Sequence, residues 1–79
     1  MSTMHTSNEE QKRFLLELAK AKMPFGKYKD RYLIDLPAAY VVWFKNKGFP
    51  KGKLGLQLES VYELKLNGLE DIVRKLQKV

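Results

Sequence analysis

Residues 23–31 read MPFGKYKDR, and we expect this stretch to organise the rest of the chain. Proline and glycine break regular structure within its first four residues, and helix-like patterns lie on both sides of it. The same nine residues carry two aromatic rings and three cations. The stretch is therefore both the predicted break between two parts of the fold and the best candidate for a functional surface.

The break itself is predicted to open a β-hairpin over residues 25–36, with a polar turn near residues 29–30. Tyr32 and Ile34 alternate with Arg31 and Leu33, a pattern typical of a strand. An isolated hairpin is marginal in water, so this one must pack against helices. We expect the ring of Phe25 to be buried and that of Tyr28 to be exposed at least in part.

Upstream of the break, the pattern predicts one amphipathic helix. Ser7 and Glu10 have the spacing of a capping box, which satisfies free N–H groups at a helix start. Pro24 disfavours helical geometry at the residue before it, so this helix should end at about Lys22. Residues 1–6 are predicted to be a disordered tail.

Downstream of the break, the first predicted helix is short. Asp35 and Pro37 suit a helix start, since a carboxylate favours the positive end and proline fits the first turn. Gly48 follows two lysines and predicts the end of this helix. Trp43 and Phe44 are expected in the core, where large aromatic side chains contribute most.

Two further helices are predicted beyond Gly48. The apolar spacing from Leu54 sustains a helical face until Asn67 and Gly68, which resemble a left-handed cap. A last amphipathic segment runs to about Lys78. The predicted fold class is therefore α+β, a single domain over residues 7–79 with an N-terminal helix, a β-hairpin and three helices packed on it.

Composition narrows the function classes. The 79 residues contain no cysteine, which excludes disulfides and thiolate chemistry and fits a reducing compartment. No apolar run approaches the length of a membrane span, and residues 1–6 lack the apolar core of a signal peptide. A cytoplasmic protein that does not contact the membrane is the default expectation.

The net charge of +6 is unevenly distributed. Residues 23–53 carry seven cations against two anions, residues 1–22 four against three, and residues 54–79 four against four. A clustered basic excess attracts polyanions, nucleic acid above all, although a solvated lysine-rich surface explains it equally well. Interleaved rings and cations suit a nucleic-acid surface, because rings stack on bases while cations follow phosphates. The predicted binding residues are Lys27, Tyr28, Lys29, Arg31, Lys51 and Lys53.

Catalytic chemistry has little support in this sequence. His5, the one histidine, lies in the predicted tail, so no general base, metal site, cofactor or small-molecule substrate is indicated. The glycines of residues 48–55 do not have the spacing of a phosphate-binding P-loop. This segment could present backbone N–H groups and two lysines to an anion, while a plain connector before a helix is the simpler interpretation.

Several blocks together resemble one bacterial family. They are MPFGKYK at residues 23–29, DLP at 35–37, KGFPKGKLG at 47–55 and NGLE at 67–70. The chain resembles the DUF3820 family of small proteins labelled as quorum-sensing-regulated virulence factors. The resemblance implies no activity and no ligand residues. The family usually has glycine where this chain has Asp30, and aspartate tolerates left-handed backbone geometry better than most residues.

A shorter likeness concerns the block FGKYK at residues 25–29, which is similar to an element near the C-terminal end of exonuclease X-type proteins. It favours a nucleic-acid accessory role. The leading hypothesis is thus a non-enzymatic module that binds nucleic acid through its basic hairpin and loop. The alternative is a protein-interaction module or homodimer with a regulatory role, which would use surplus leucines at positions 56, 64 and 66.

Overall fold

The structure, a computed structural model, describes residues 8–79 of the chain and contains four α-helices. Their bounds are Asn8–Lys20 for α1, Ala38–Lys47 for α2, Lys53–Leu66 for α3 and Glu70–Leu76 for α4. A one-turn 3-10 helix, Leu33–Asp35, lies between α1 and α2. Ser7, the predicted cap of the first helix, and the predicted tail of residues 1–6 lie outside the described residues.

The predicted α+β class is wrong, because the described residues form an all-α fold without a strand. Instead of a hairpin, the described residues contain a single antiparallel bridge, between Lys22 and Tyr32. The chain turns too tightly between them to form a ladder. The N–H of Lys29 donates to the carbonyl of Gly26 at 3.2 Å, and the N–H of Arg31 donates to that of Tyr28 at 3.0 Å.

Residues 23–31 instead form a loop that closes on Met23. The Met23 N–H donates to the Arg31 carbonyl at 2.8 Å, and the Asp30 N–H donates to the Met23 carbonyl at 2.7 Å. The Met23 side chain is fully buried, so the loop is fixed at its base. Asp30 adopts a φ of +70°, the left-handed conformation that the resemblance predicted for a position where relatives have glycine.

The 3-10 helix is the centre of the core. It packs against α1, α3 and α4, and α2 is attached through its packing on α3. Leu33, Ile34 and Leu36 are all buried. Successive side chains of a strand point to opposite faces of its sheet, so a sheet with one buried face would not bury both Leu33 and Ile34. The other fully buried aliphatic residues of the core are Leu18, Ala19, Val41, Leu58, Val61 and Val73.

Two cationic side chains, one from α3 and one from α4, form hydrogen bonds with this 3-10 helix. Arg74 Nε donates to Asp35 Oδ1 at 2.7 Å, and Lys65 Nζ donates to the Ile34 carbonyl at 2.9 Å. Asp35 therefore binds a cation of α4 and does not cap α2, whose start has no side-chain cap. Burial lowers the pKa of Lys65, against a smaller opposing effect of the Glu70 carboxylate 3.8 Å away. The hydrogen bond to Asp35 raises the pKa of Arg74.

The ends of the helices follow the expected residues with small shifts. α1 ends at Lys20, two residues before the predicted stop. Gly48 follows α2 with a φ of +100°, and Gly68 follows α3 with a φ of +67°, so both helices are followed by a glycine with a positive φ, which other residues rarely adopt. Over residues 8–79, no helix is both long and apolar enough to cross a membrane.

Candidate nucleic-acid interface

Five aromatic rings form a continuous line of contacts, which we call the aromatic row. Tyr28 contacts Tyr40 edge-on, with ring centroids 4.7 Å apart, and Tyr40 stacks on Trp43 at 5.9 Å. Phe44 contacts both Tyr40 and Trp43 at 5.8 and 5.6 Å, and Phe49 lies 6.3 Å beyond it. The row thus connects the loop of residues 23–31, helix α2 and the segment after α2.

Helix α2 supplies three of these rings because of its composition. Residues 38–44 read AAYVVWF, seven apolar residues in succession on a ten-residue helix. A helix that packs on one side cannot bury such a run, and within α2 only Val41 is buried. Tyr40, Trp43 and Phe44 have the i, i+3, i+4 spacing that places side chains on one face, so the rings meet there.

Cations lie against two rings of the row. Lys27 Nζ is 5.6 Å and Arg31 Cζ is 5.2 Å from the centroid of Tyr28, at one end of the row. Lys47 Nζ is 5.6 Å from the centroid of the Trp43 ring, which lies within the row. Each distance is within the range of a cation–π contact. The resulting surface combines accessible aromatic area with three positive charges.

The structure brings together only part of the predicted binding set. Lys27, Tyr28 and Arg31 meet at the aromatic row. Lys53 lies elsewhere, where its Nζ pairs with Glu17 Oε1 of α1 at 2.9 Å. Lys29 and Lys51 are exposed, and neither forms an ion pair with another residue in the range 8–79.

Three expectations about burial have different outcomes. Phe25 was expected inside, but 47% of it is exposed, because the buried position at the base of the loop belongs to Met23. Trp43 was expected in the core and is 52% exposed, and Phe44 is half-buried. Tyr28 is half-buried, as expected. The most accessible large ring on this surface is therefore Trp43.

Sequence reasoning missed Tyr40, Trp43 and Lys47 as members of the surface. The signal was available in the apolar run of residues 38–44, which is too long for one buried stripe. Lys47 follows Trp43 by four residues, the spacing at which side chains of a helix meet. Among residues 8–79, no three His, Asp or Glu side chains converge as metal ligands. The arrangement is suited to binding by stacking and charge.

Fold and surface together define a small all-α protein with one aromatic and basic face. A family model described as "Putative quorum-sensing-regulated virulence factor" matches residues 11–76, and the chain belongs to that family. The DUF3820 resemblance is thereby confirmed. The chain is 46% identical over 69 residues to the protein described as "Uncharacterized protein YpeB" in Escherichia coli K12, covering 86% of this chain and 96% of the relative. The YpeB protein of Escherichia coli O157:H7 matches to the same extent. No solved structure matches the chain.

Proposed function

We propose that this protein is a non-enzymatic module that binds single-stranded nucleic acid through the aromatic row and the cations beside it. One observation carries the proposal: Trp43 is half exposed and lies beside Lys47 on a line of rings that has Lys27 and Arg31 at one end. A single strand offers unpaired bases for stacking and one phosphate per nucleotide for cations.

Trp43 is the ring that would stack on a base. Tyr40 lies behind it, stacked at an interplanar angle of 15°, and Phe44 supports it edge-on. Because Tyr40 and Phe44 already hold the ring, a base can stack on it with little further cost in side-chain ordering. Tyr28, which sequence reasoning had assigned this role, is half-buried and contributes mainly by positioning Lys27 and Arg31.

The direct test is a binding titration with labelled single-stranded DNA and RNA of about 12 nucleotides, a length within the usual site sizes. Trp43→Leu keeps an apolar contact with Phe44 but removes the stacking ring. We expect it to weaken binding by about 1–3 kcal/mol, the usual worth of one stacked base. Absence of binding by the wild-type protein at about 50 mM salt would end the proposal, since phosphate contacts are strongest at low salt.

A matched pair of lysine variants distinguishes binding at the aromatic row from attraction to the overall positive charge of the protein. Lys47→Met removes a cation beside Trp43, and Lys75→Met removes one from α4, which packs against α1, α3 and the 3-10 helix. Both variants change the net charge equally. We expect the first to weaken binding and to reduce the salt slope by about 0.7, the value for one contact with a single strand. Equal effects of both variants would show that binding is unspecific.

The second candidate function is a protein-interaction module or homodimer. Leu66 is 70% exposed and Val42 is also exposed, and both border an apolar groove of about 250 Å³ between α2 and α3. Leu56 is exposed too, whereas Leu64 is half-buried against the core. Sedimentation of the wild-type protein and of Leu66→Lys tests this function. A concentration-dependent dimer that the variant abolishes would support it, and a monomer at every concentration would argue against a homodimer.

A further inference from the structure

The groove of about 250 Å³ between α2 and α3, which we call the α2–α3 groove, combines apolar walls with one buried cation. The residues that line it are Ala38, Val41, Val42, Tyr62, Lys65 and Leu66. All of them except Lys65 are apolar or aromatic. Small-molecule sites have such walls with a few polar groups among them, and this volume, slightly below that of a drug-sized site, suits a single short chain.

Lys65 is the charged residue of the groove, and its side chain is only 10% exposed. Its Nζ donates to the Ile34 carbonyl at 2.9 Å, whereas Glu70 Oε2 is 3.8 Å away, beyond the usual hydrogen-bond distance. An ammonium group has three donors, so within residues 8–79 two of them have no acceptor at that distance. Burial lowers the pKa of Lys65, which shows that these neighbours replace its hydration only in part.

The ammonium group of Lys65 lies toward one end of the groove. Its acceptor, the Ile34 carbonyl, comes four residues before Ala38, the first residue of α2. Toward the other end, about two turns along α2, Lys45 Nζ lies 5.3 Å from the centroid of Tyr62 and is exposed. A ligand that matches this arrangement has an apolar chain and an anionic group at one end.

The charge of Lys65 also distinguishes this ligand from the apolar side chain of a protein partner. Such a side chain would remove the remaining water from the ammonium group and offer it no acceptor, which is costly for a buried charge. A carboxylate supplies the missing acceptor, and hydrogen bonds between charged groups are the stronger ones. The hydrocarbon chain behind it covers the apolar walls and gains the hydrophobic free energy of that burial.

We propose that the α2–α3 groove binds an aliphatic carboxylate, with its chain against the apolar walls and its carboxylate on the Lys65 ammonium group. None of the lining residues belongs to the aromatic row, so this proposal does not depend on the binding of nucleic acid proposed above. It is an alternative to the second candidate function, because Val42 and Leu66 border the same groove.

The probe is octanoate, added to the ¹⁵N-labelled full chain while amide chemical shifts are recorded by NMR. We expect saturable shifts of the amides of residues 38–42 and 62–66. From hexanoate to octanoate, each added methylene should tighten binding about fourfold, the effect of burying one such group. 1-Octanol has the same chain without the charge and should bind at least about tenfold more weakly, because it cannot offer a charged acceptor.

Two variants test the parts of the groove separately. Lys65→Met should weaken octanoate binding about tenfold and leave the weaker binding of 1-octanol unchanged, a difference that a purely structural role of Lys65 would not produce. Ala38→Phe adds a ring at an exposed position of the groove and should abolish the binding of both compounds. Lys45→Met is the matched control, since it removes the same charge from an exposed side chain and should change octanoate binding less than twofold.

Three results would each overturn the proposal: shifts without saturation, equal affinity for octanoate and 1-octanol, or equal effects of Lys45→Met and Lys65→Met. The comparison of the two compounds uses the wild-type protein, so the test stays valid if a variant disturbs folding. A dimer that Leu66→Lys dissociates, together with no binding of octanoate, would assign the groove to a second copy of the chain and also overturn the proposal. Loss of oligonucleotide binding with octanoate binding intact would count against the aromatic row alone.

Discussion

At the scale of single residues, Gly55 is the position with least tolerance. It lies in the first turn of α3, and a Cβ added there would be 1.7 Å from the Pro50 carbonyl oxygen. Because that atom belongs to the backbone, it cannot rotate away. We predict that Gly55→Ala lowers the free energy of unfolding by about 3 kcal/mol, the upper range for overpacked sites, as measured by urea denaturation.

Gly68→Ala is the control for this prediction. Gly68 has a φ of +67°, and nothing lies within 4 Å of an added Cβ. Its cost is therefore limited to the left-handed backbone, about 1–2 kcal/mol. If Gly55→Ala costs no more than Gly68→Ala, the close approach of Pro50 does not constrain α3.

At Asp30, in contrast to Gly55 and Gly68, the present side chain strains the backbone and glycine would relieve the strain. Asp30 has a left-handed φ of +70°, and it is the one described residue other than glycine with a positive φ. Replacement by glycine removes the clash of Cβ with the backbone, although glycine also loses more entropy on folding. We predict that Asp30→Gly raises the free energy of unfolding by about 0.5–1 kcal/mol in urea denaturation. A loss of stability would mean that the Asp30 side chain itself stabilises the loop.

At the scale of elements, the contact of Lys65 with the 3-10 helix makes stability depend on pH. Burial lowers the pKa of Lys65 below its ordinary value of 10.5, and the side chain is only 10% exposed. Between the lowered pKa and 10.5, the unfolded chain binds this proton and the folded chain does not. The free energy of unfolding therefore rises with pH in that window through this group.

The variant Lys65→Met isolates this effect, because it removes the titrating group and keeps a side chain of similar length. We predict that the difference in unfolding free energy, wild type minus variant, increases as the pH rises toward 10.5. Urea denaturation of both proteins over a series of alkaline pH values provides the measurement. A difference that stays constant or falls would show that the pKa of Lys65 is not lowered in the folded protein.

The secondary-structure elements differ in how well the sequence predicted them. Gly48 and Gly68 ended helices as predicted, because local backbone preference alone determines such positions. The hairpin was wrong because its evidence was an alternation over four residues, which a 3-10 turn with Leu33 and Ile34 both buried can also produce. Residues 33–35 form a 3-10 helix that is buried from three sides by α1, α3 and α4. No local sequence pattern encodes that packing.

Of the candidate surface, only the part in the loop of residues 23–31 was predicted from the sequence. Lys27, Tyr28 and Arg31 were identified from local composition, and they do meet at the aromatic row. The rings of α2 were assigned to the core, because the apolar run of residues 38–44 was interpreted as buried although it is too long for one buried stripe. Lys53 was grouped with Lys27, Lys29 and Arg31 because residues 23–53 carry the basic excess, whereas the fold places it against Glu17 of α1.

At the scale of the whole molecule, the aromatic row carries part of the net charge of +6. Lys27 and Arg31 lie against the half-buried ring of Tyr28, and Lys47 lies against the exposed ring of Trp43. Rings beside cations suit a flexible strand with bases. The proposed function depends on stacking at the aromatic row.

The fluorescence of Trp43 reports on stacking, because Trp43 is the one tryptophan of the chain. A base stacked on the indole quenches its emission. We predict saturable quenching by single-stranded oligonucleotide at about 50 mM salt, with affinity that falls steeply by about 200 mM as counterion release requires. Binding without any change in Trp43 emission, or no binding at low salt, would show that the aromatic row is not a stacking surface.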